Sequence, residues 1–164
     1  YSVTDTVRQV VRCSYDPNDK QVSPQGALDQ NYVLFDSPLT YTIRFQNTGN
    51  DTAYLIVVKD TLDVQNLDLN SFEVVASSHQ VQTSFTNEGL VTFRFNDIML
   101  PDSNTNKIGS QGFLKYRIKP KAGLGENTKV KNTAYIYFDY NPAIITNTTL
   151  STYVSGVFYF GVFA

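Results

Sequence analysis

Residues 41–62 read YTIRFQNTGNDTAYLIVVKDTL, and their pattern decides the class of fold. Leu39, Tyr41, Ile43 and Phe45 alternate with Thr40, Thr42, Arg44 and Gln46. A period of two gives a strand one buried and one wet face, whereas a helix would scatter the same residues around its circumference. Asn47, Thr48, Gly49, Asn50 and Asp51 follow, residues that tolerate positive φ or hydrogen-bond their own backbone, so the chain reverses there. Ala53 to Asp60 is again β-rich and apolar on both parities, as a more central strand requires. The stretch is expected to form two strands joined as a hairpin.

Working outward, Val3 to Cys13 reads as a first strand, with Val3, Val7 and Val11 on one parity, and 16–26, DPNDKQVSPQG, as a loop of turn formers. Phe72 to Ala76 and Val81 to Phe85 are short strands. Leu90 to Asn96 places Val91, Phe93 and Phe95 inward. After a polar loop, Pro101 to Gly112, the segment Phe113 to Pro120 sets Leu114, Tyr116 and Ile118 against Lys115, Arg117 and Lys119. Val130 to Phe138 is an aromatic-rich strand leading into DYNP. No stretch sustains apolar spacing at i, i+3, i+4 and i+7, so no long helix is expected. Seven or more short strands with one-sided alternation define an all-β fold, an immunoglobulin-like antiparallel β-sandwich with extra N- and C-terminal strands.

Composition agrees. The 164 residues, 41% hydrophobic, suffice for one domain with a substantial core. Twelve aspartates against three glutamates, with abundant Thr, Asn and Gly, favour strands and turns over helices. A net charge of −2 gives no electrostatic reason to expect nucleic acid, and Lys119, Lys121, Lys129 and Lys131 read as a solvated face. A lone Cys13 cannot close an internal disulfide. It is expected as a small buried hydrophobe, with an intermolecular bridge or a lipid attachment as alternatives. No charged n-region and apolar h-region open the sequence at Tyr1, so any export signal is expected to have been removed.

The ordered motifs CSYDPNDKQVSPQG, YTIRFQNTGNDTAYLIVVKDTL, SQGFLKYRIKPKAG and NTAYIYFDYNPAIITNTT resemble a family of secreted Bacteroidota domains. These are similar to conserved extracellular repeat domains of bacterial surface proteins and commonly lie next to a type IX secretion sorting region. The resemblance covers Cys13 to Thr149. It implies an immunoglobulin-like fold, export to the bacterial cell surface and no catalytic activity. It also implies O-linked glycans at Asp followed by Ser or Thr and a small or aliphatic residue, which picks out Thr6, Thr52 and Thr61, with Thr52 at the turn expected to be the most accessible. Asn50 and Asn147 fit the N-linked sequon, a chemistry less suited to such a host.

The chain departs from that family at its end, TYVSGVFYFGVFA, where Val154, Val157, Phe158, Tyr159, Phe160, Val162 and Phe163 make a strand apolar on both parities. The domain is therefore read as 1–150 with an apolar C-terminal strand over 151–164. Such a strand must be covered. It either folds back as the last strand of its own sandwich or completes the sheet of a neighbour by β-strand addition, since about 10 residues reach roughly 33 Å. Exchange between identical chains does not close and gives a head-to-tail filament. The apolar run is too short to span a bilayer as a helix.

Chemistry is sparse. Asp16, Asn18 and Asp19 have the spacing of oxygen ligands for calcium. No Glu completes a calcium loop, however, and an Asx-rich turn accounts for the same residues, as it does for Asp139, Asn141 and Pro142. In some surface sandwiches a lysine and an asparagine on adjacent strands form an intramolecular isopeptide, and Lys20 or Lys59 with Asn132 qualify here. His79 is the single histidine and reads as a turn residue, while Glu73, Glu88 and Glu126 are far apart, so no acid–base pair stands out. The expectation is a non-enzymatic extracellular structural protein, a self-assembling filament subunit without a cofactor. An adhesin or carbohydrate-binding module of a larger secreted protein, with surface glycans as partners, is the alternative.

Overall fold

The structure, a computed structural model, describes residues 17–156, and all regular structure among them is β. Twelve strands follow in order: β1 Asp19–Ser23, β2 Tyr32–Leu34, β3 Leu39–Gln46, β4 Ala53–Thr61, β5 Leu67–Ser77, β6 Gln82–Phe85, β7 Leu90–Leu100, β8 Gln111–Pro120, β9 Thr128–Asn132, β10 Ala134–Phe138, β11 Ile144–Ile145 and β12 Thr149–Val154. They form a four-stranded sheet β1-β3-β8-β5, a five-stranded sheet β11-β10-β4-β7-β6, and a three-stranded sheet β2-β12-β9. This is the expected all-β, immunoglobulin-like sandwich. Its pairs are antiparallel except β2 with β12, which run parallel.

The alternating strands bury the faces their patterns predict. Leu39, Tyr41, Ile43 and Phe45 from β3 and Leu114, Tyr116 and Ile118 from β8 meet Ile56, Val58, Val91, Phe93 and Phe95 of the opposing sheet, all buried. Aromatic rings knit the layers: Phe45 lies 5.3 Å from Phe95 edge-on, and Phe93 stacks on Tyr116 at 5.7 Å. β4 is central, flanked by β10 and β7, as its two-sided apolarity required.

Three expectations need correction. Residues 41–62 do not form a hairpin, because β3 pairs with β1 and β8 while β4 pairs with β10 and β7. The six residues between them cross from one layer to the other. The Asn47 side chain holds that crossing, donating to the carbonyls of Asp51 at 2.8 Å and Leu100 at 3.0 Å and accepting from Gly49 N–H at 3.1 Å. The loop read over 16–26 contains β1, which pairs with β3 from Asp19↔Arg44 to Ser23↔Thr40. The ladder to β3 overrides the local turn preference of its Asp and Ser. Val130 to Phe138 is two strands in different sheets, β9 and β10. Burial alternates without interruption through Val130, Asn132, Ala134, Ile136 and Phe138, so the pattern carries no mark of the switch.

The boundary read at residue 150 falls inside β12, whose Val154 is buried and pairs with Leu34 of its own chain. Val157, Phe158, Tyr159, Phe160, Val162 and Phe163 lie outside the described residues, as do the Val3 to Cys13 strand, Cys13, Thr6 and Asp16.

Phe45 pairs with Gly112 across β3 and β8, and a Cβ at residue 112 would come within 2.2 Å of the Phe45 ring. Phe95 and Phe138 hold that ring from the other layer, so it cannot yield. Gly112→Ala is expected to destabilise the domain by about 1–3 kcal/mol through overpacking, read as a lowered urea midpoint with an unchanged slope. An unchanged midpoint would mean the ring is free to move.

Candidate functional site: a buried lysine, aspartate and asparagine

Where the three sheets meet, polar side chains occupy positions the strand patterns reserve for hydrophobes. Lys20 sits on β1 opposite Ile43 and is 1% exposed. Asp60 follows Ile56 and Val58 on the inward parity of β4 and is fully buried. Asn132 ends β9 two residues after Val130, facing the same way, and is 3% exposed. Tyr41 and Tyr116, paired across β3 and β8 with rings 5.2 Å apart, complete the cluster.

The hydrogen bonds converge. Lys20 Nζ donates to Asp60 Oδ2 and lies 3.2 Å from the Tyr116 hydroxyl. That hydroxyl donates to Asp60 Oδ2 at 2.7 Å and accepts from Asn132 Nδ2 at 2.9 Å. Lys20 Nζ also stands over the Tyr41 ring, 4.7 Å from its centroid. Burial pushes the Lys20 amine below the usual lysine range; the charge and hydrogen bond of Asp60 oppose the shift and do not cancel it. Burial, and after it the Asp60 charge, pushes the Tyr41 and Tyr116 phenols up. Three buried atoms of the cluster have no hydrogen-bond partner: Tyr41 Oη, Asp60 Oδ1 and Asn132 Oδ1. The site thus packs an amine, a carboxyl group and a primary amide into one buried cluster in which two acceptor oxygens take no hydrogen bond from the protein.

Of the two lysines considered from sequence, Lys20 is brought to Asn132. Lys59 is exposed on the outer face of β4, its Nζ 5.3 Å from the Tyr137 ring. Asp60 and Tyr116 were not singled out as site residues by sequence reasoning. The available signal was parity: Asp60 continues the Ile56, Val58 row, where a carboxylate has no solvent to face.

The other candidates lie elsewhere. Asn18 is buried and its Oδ1 accepts from Gln46 N–H at 3.2 Å, while both Asp19 oxygens are held by the Arg44 guanidinium. Asp139 Oδ1 accepts the N–H groups of Tyr54 and Leu55 at 2.9 and 2.8 Å, tying the end of β10 to the start of β4. Among the described residues no group of three or more His, Cys, Asp or Glu side chains is placed to hold a metal ion. Thr61 is exposed and Thr52 half-buried, reversing the expected order of access. Asn147 is exposed, and its amide brackets the Lys20 backbone, accepting from N–H at 2.9 Å and donating to the carbonyl at 2.8 Å. His79 contacts Ser78 in the turn between β5 and β6, and Glu73 pairs with Arg117 on the surface.

A sandwich of this form is shared with bacterial pilin domains. The major pilin subunit BcpA of Bacillus cereus superposes with a TM-score of 0.54 at 18% identity, over 82% of this chain and 39% of that one. The major pilin SpaA of Corynebacterium diphtheriae, whose structure "points to a modular pilus assembly stabilizing isopeptide bonds", superposes at 0.51 and 13% identity, over 80% of this chain and 37% of that one. The chain spans about two fifths of the length of either pilin. By sequence it belongs to the family described as a domain of unknown function (DUF7619), matched over residues 16–152. No curated protein matches it.

The buried phenols give the fold a pH limit. Tyr41, Tyr116 and Tyr153 are held above the ordinary phenol value of 10.0, chiefly by burial. The unfolded chain releases these protons once pH passes 10.0 and the folded chain keeps them. Stability is therefore complete below that pH and falls above it. A depressed Lys20 works the other way, but only up to its ordinary 10.5. Urea midpoints measured across the alkaline range should fall, with part of the phenolate absorbance appearing only on unfolding. A flat midpoint would contradict the burial of these hydroxyls.

Proposed function

We propose that this chain is a non-enzymatic structural domain of a bacterial surface protein, exported in Bacteroidota, that assembles head to tail by donating its apolar C-terminal strand to a neighbouring copy. The observation that carries the reading is the direction of β12. It runs inside its own sandwich to Val154, and after Ser155 and Gly156 the sequence continues as VFYFGVFA, apolar on both parities, with no polar face to offer to water.

The sandwich offers a place for such a strand. Among the described strands, β5 and β6 each lie at one edge of their sheet and flank a groove of about 700 Å³ whose lining includes Leu69, Phe72 and Phe85. All four residues of β6 are exposed, and Phe85 is 59% exposed although its ring lies 5.9 Å from Phe72. A donated strand would pair its backbone with either edge and place alternate aromatic side chains in the groove. The pilin likeness supports a load-bearing surface role, and the ordered sequence motifs support the Bacteroidota setting. Glycans on Thr61 or Thr52 are compatible additions at the surface, and assembly does not require them.

A truncation ending at Gly156 keeps β12 whole and removes only the proposed donor. Size-exclusion chromatography and negative-stain electron microscopy should show polymers for the full chain and monomers of equal thermal stability for the truncation. A full chain that stays monomeric at high concentration overturns the proposal.

A further inference from the structure

We propose that Lys20 and Asn132 are joined by an autocatalytic isopeptide bond between Nζ and Cγ, formed in the buried pocket they share with Asp60 and Tyr116. The inference rests on the convergence of the three groups the reaction requires and is independent of strand donation. Lys20 Nζ and Asn132 Nδ2 each lie within hydrogen-bond reach of one hydroxyl, that of Tyr116, at 3.2 and 2.9 Å. Asp60 Oδ2 contacts both the amine and that hydroxyl. All of these side chains are buried, so water neither competes as a nucleophile nor stabilises the separated charges.

The steps balance without any outside reagent. The ammonium proton of Lys20 passes to Asp60 Oδ2, leaving a neutral amine, the form that burial already favours. Its lone pair attacks Asn132 Cγ, and the carbonyl electron pair moves onto Oδ1, which takes a hydrogen bond from the protonated Asp60. The extra proton on Nζ then moves to Nδ2 through the Tyr116 hydroxyl and the Asp60 carboxyl. The Cγ–Nδ2 bond breaks and ammonia leaves. One primary amine and one primary amide become one secondary amide plus ammonia, nothing is oxidised or reduced, and Asp60 ends with a proton. Asp60 is the catalytic group in this scheme, since it touches the reacting amine; Lys20 is the nucleophile consumed in the step, and Tyr116 is the proton relay.

The product also accounts for the unserved oxygens. As a salt bridge alone, the cluster buries a charge pair whose desolvation is costly and leaves Asp60 Oδ1 and Asn132 Oδ1 without donors. After condensation the pocket holds no net charges, and the Asp60 hydroxyl supplies the donor that the new amide carbonyl lacks. The bond staples β1, an edge of the four-stranded sheet, to β9, an edge of the three-stranded one.

Intact-mass spectrometry of the folded full chain should show a loss of one ammonia, about 17 Da, against the sequence mass. Proteolysis after unfolding should yield a branched peptide joining the Lys20 and Asn132 segments. Asn132→Ala, Lys20→Met and Asp60→Asn should each restore the full mass and abolish the branched peptide. The wild-type measurement stands even if a variant fails to fold. A wild-type chain at its full sequence mass, or an ammonia loss located elsewhere, overturns the inference.

Discussion

The structure depends on a polar knot in a place built for hydrophobes. Lys20 belongs to the four-stranded sheet, Asp60 to the five-stranded sheet and Asn132 to the three-stranded sheet, and the Tyr116 hydroxyl touches all three side chains. Apolar packing between sheets is nondirectional and tolerates sliding. Hydrogen bonds among buried groups do not, because each lost partner leaves a desolvated donor or acceptor. The knot therefore fixes how the sheets register against one another, while the apolar core, with the Phe45, Phe93, Phe95 and Phe138 rings among its members, supplies the bulk of the burial.

Its energetics set its chemistry. A lysine ammonium and a carboxylate without solvent gain from their mutual attraction but lose hydration, and here the burial of Lys20 outweighs what Asp60 returns. A pocket that disfavours charge is a poor place for a salt bridge and a good one for an amide bond. The same burial holds Tyr41 and Tyr116 in their phenol form above the pH at which an exposed phenol ionises.

Much of the fold was legible in the sequence, and the misreadings share a cause. Alternation reports which residues face inward but not which sheet a strand joins. Val130 to Phe138 keeps perfect parity while passing between sheets, and residues 41–62 look like a hairpin while crossing between layers. β1 was hidden because Asp19 and Ser23 are turn formers, Gln21 is polar, and its inward residues are only Lys20 and Val22. The site was half legible for the same reason. Lys20 and Asn132 could be paired as residue types, but the role of Asp60 appears only when β4 is seen packed beneath β1, with Lys59 directed to solvent and Asp60 to the core.

A staple between β1 and β9 would give the domain a particular mechanical property. Tension applied through the N-terminal segment would enter at Lys20 and leave at Asn132, so β2 to β8 would be shielded from the load while β10 to β12 would remain in its path. Single-molecule force spectroscopy, with the full chain pulled from both ends, tests this most directly. The chain between Lys20 and Asn132 should never extend, while in Asn132→Ala it should extend fully. Complete extension of the wild-type chain would contradict the staple.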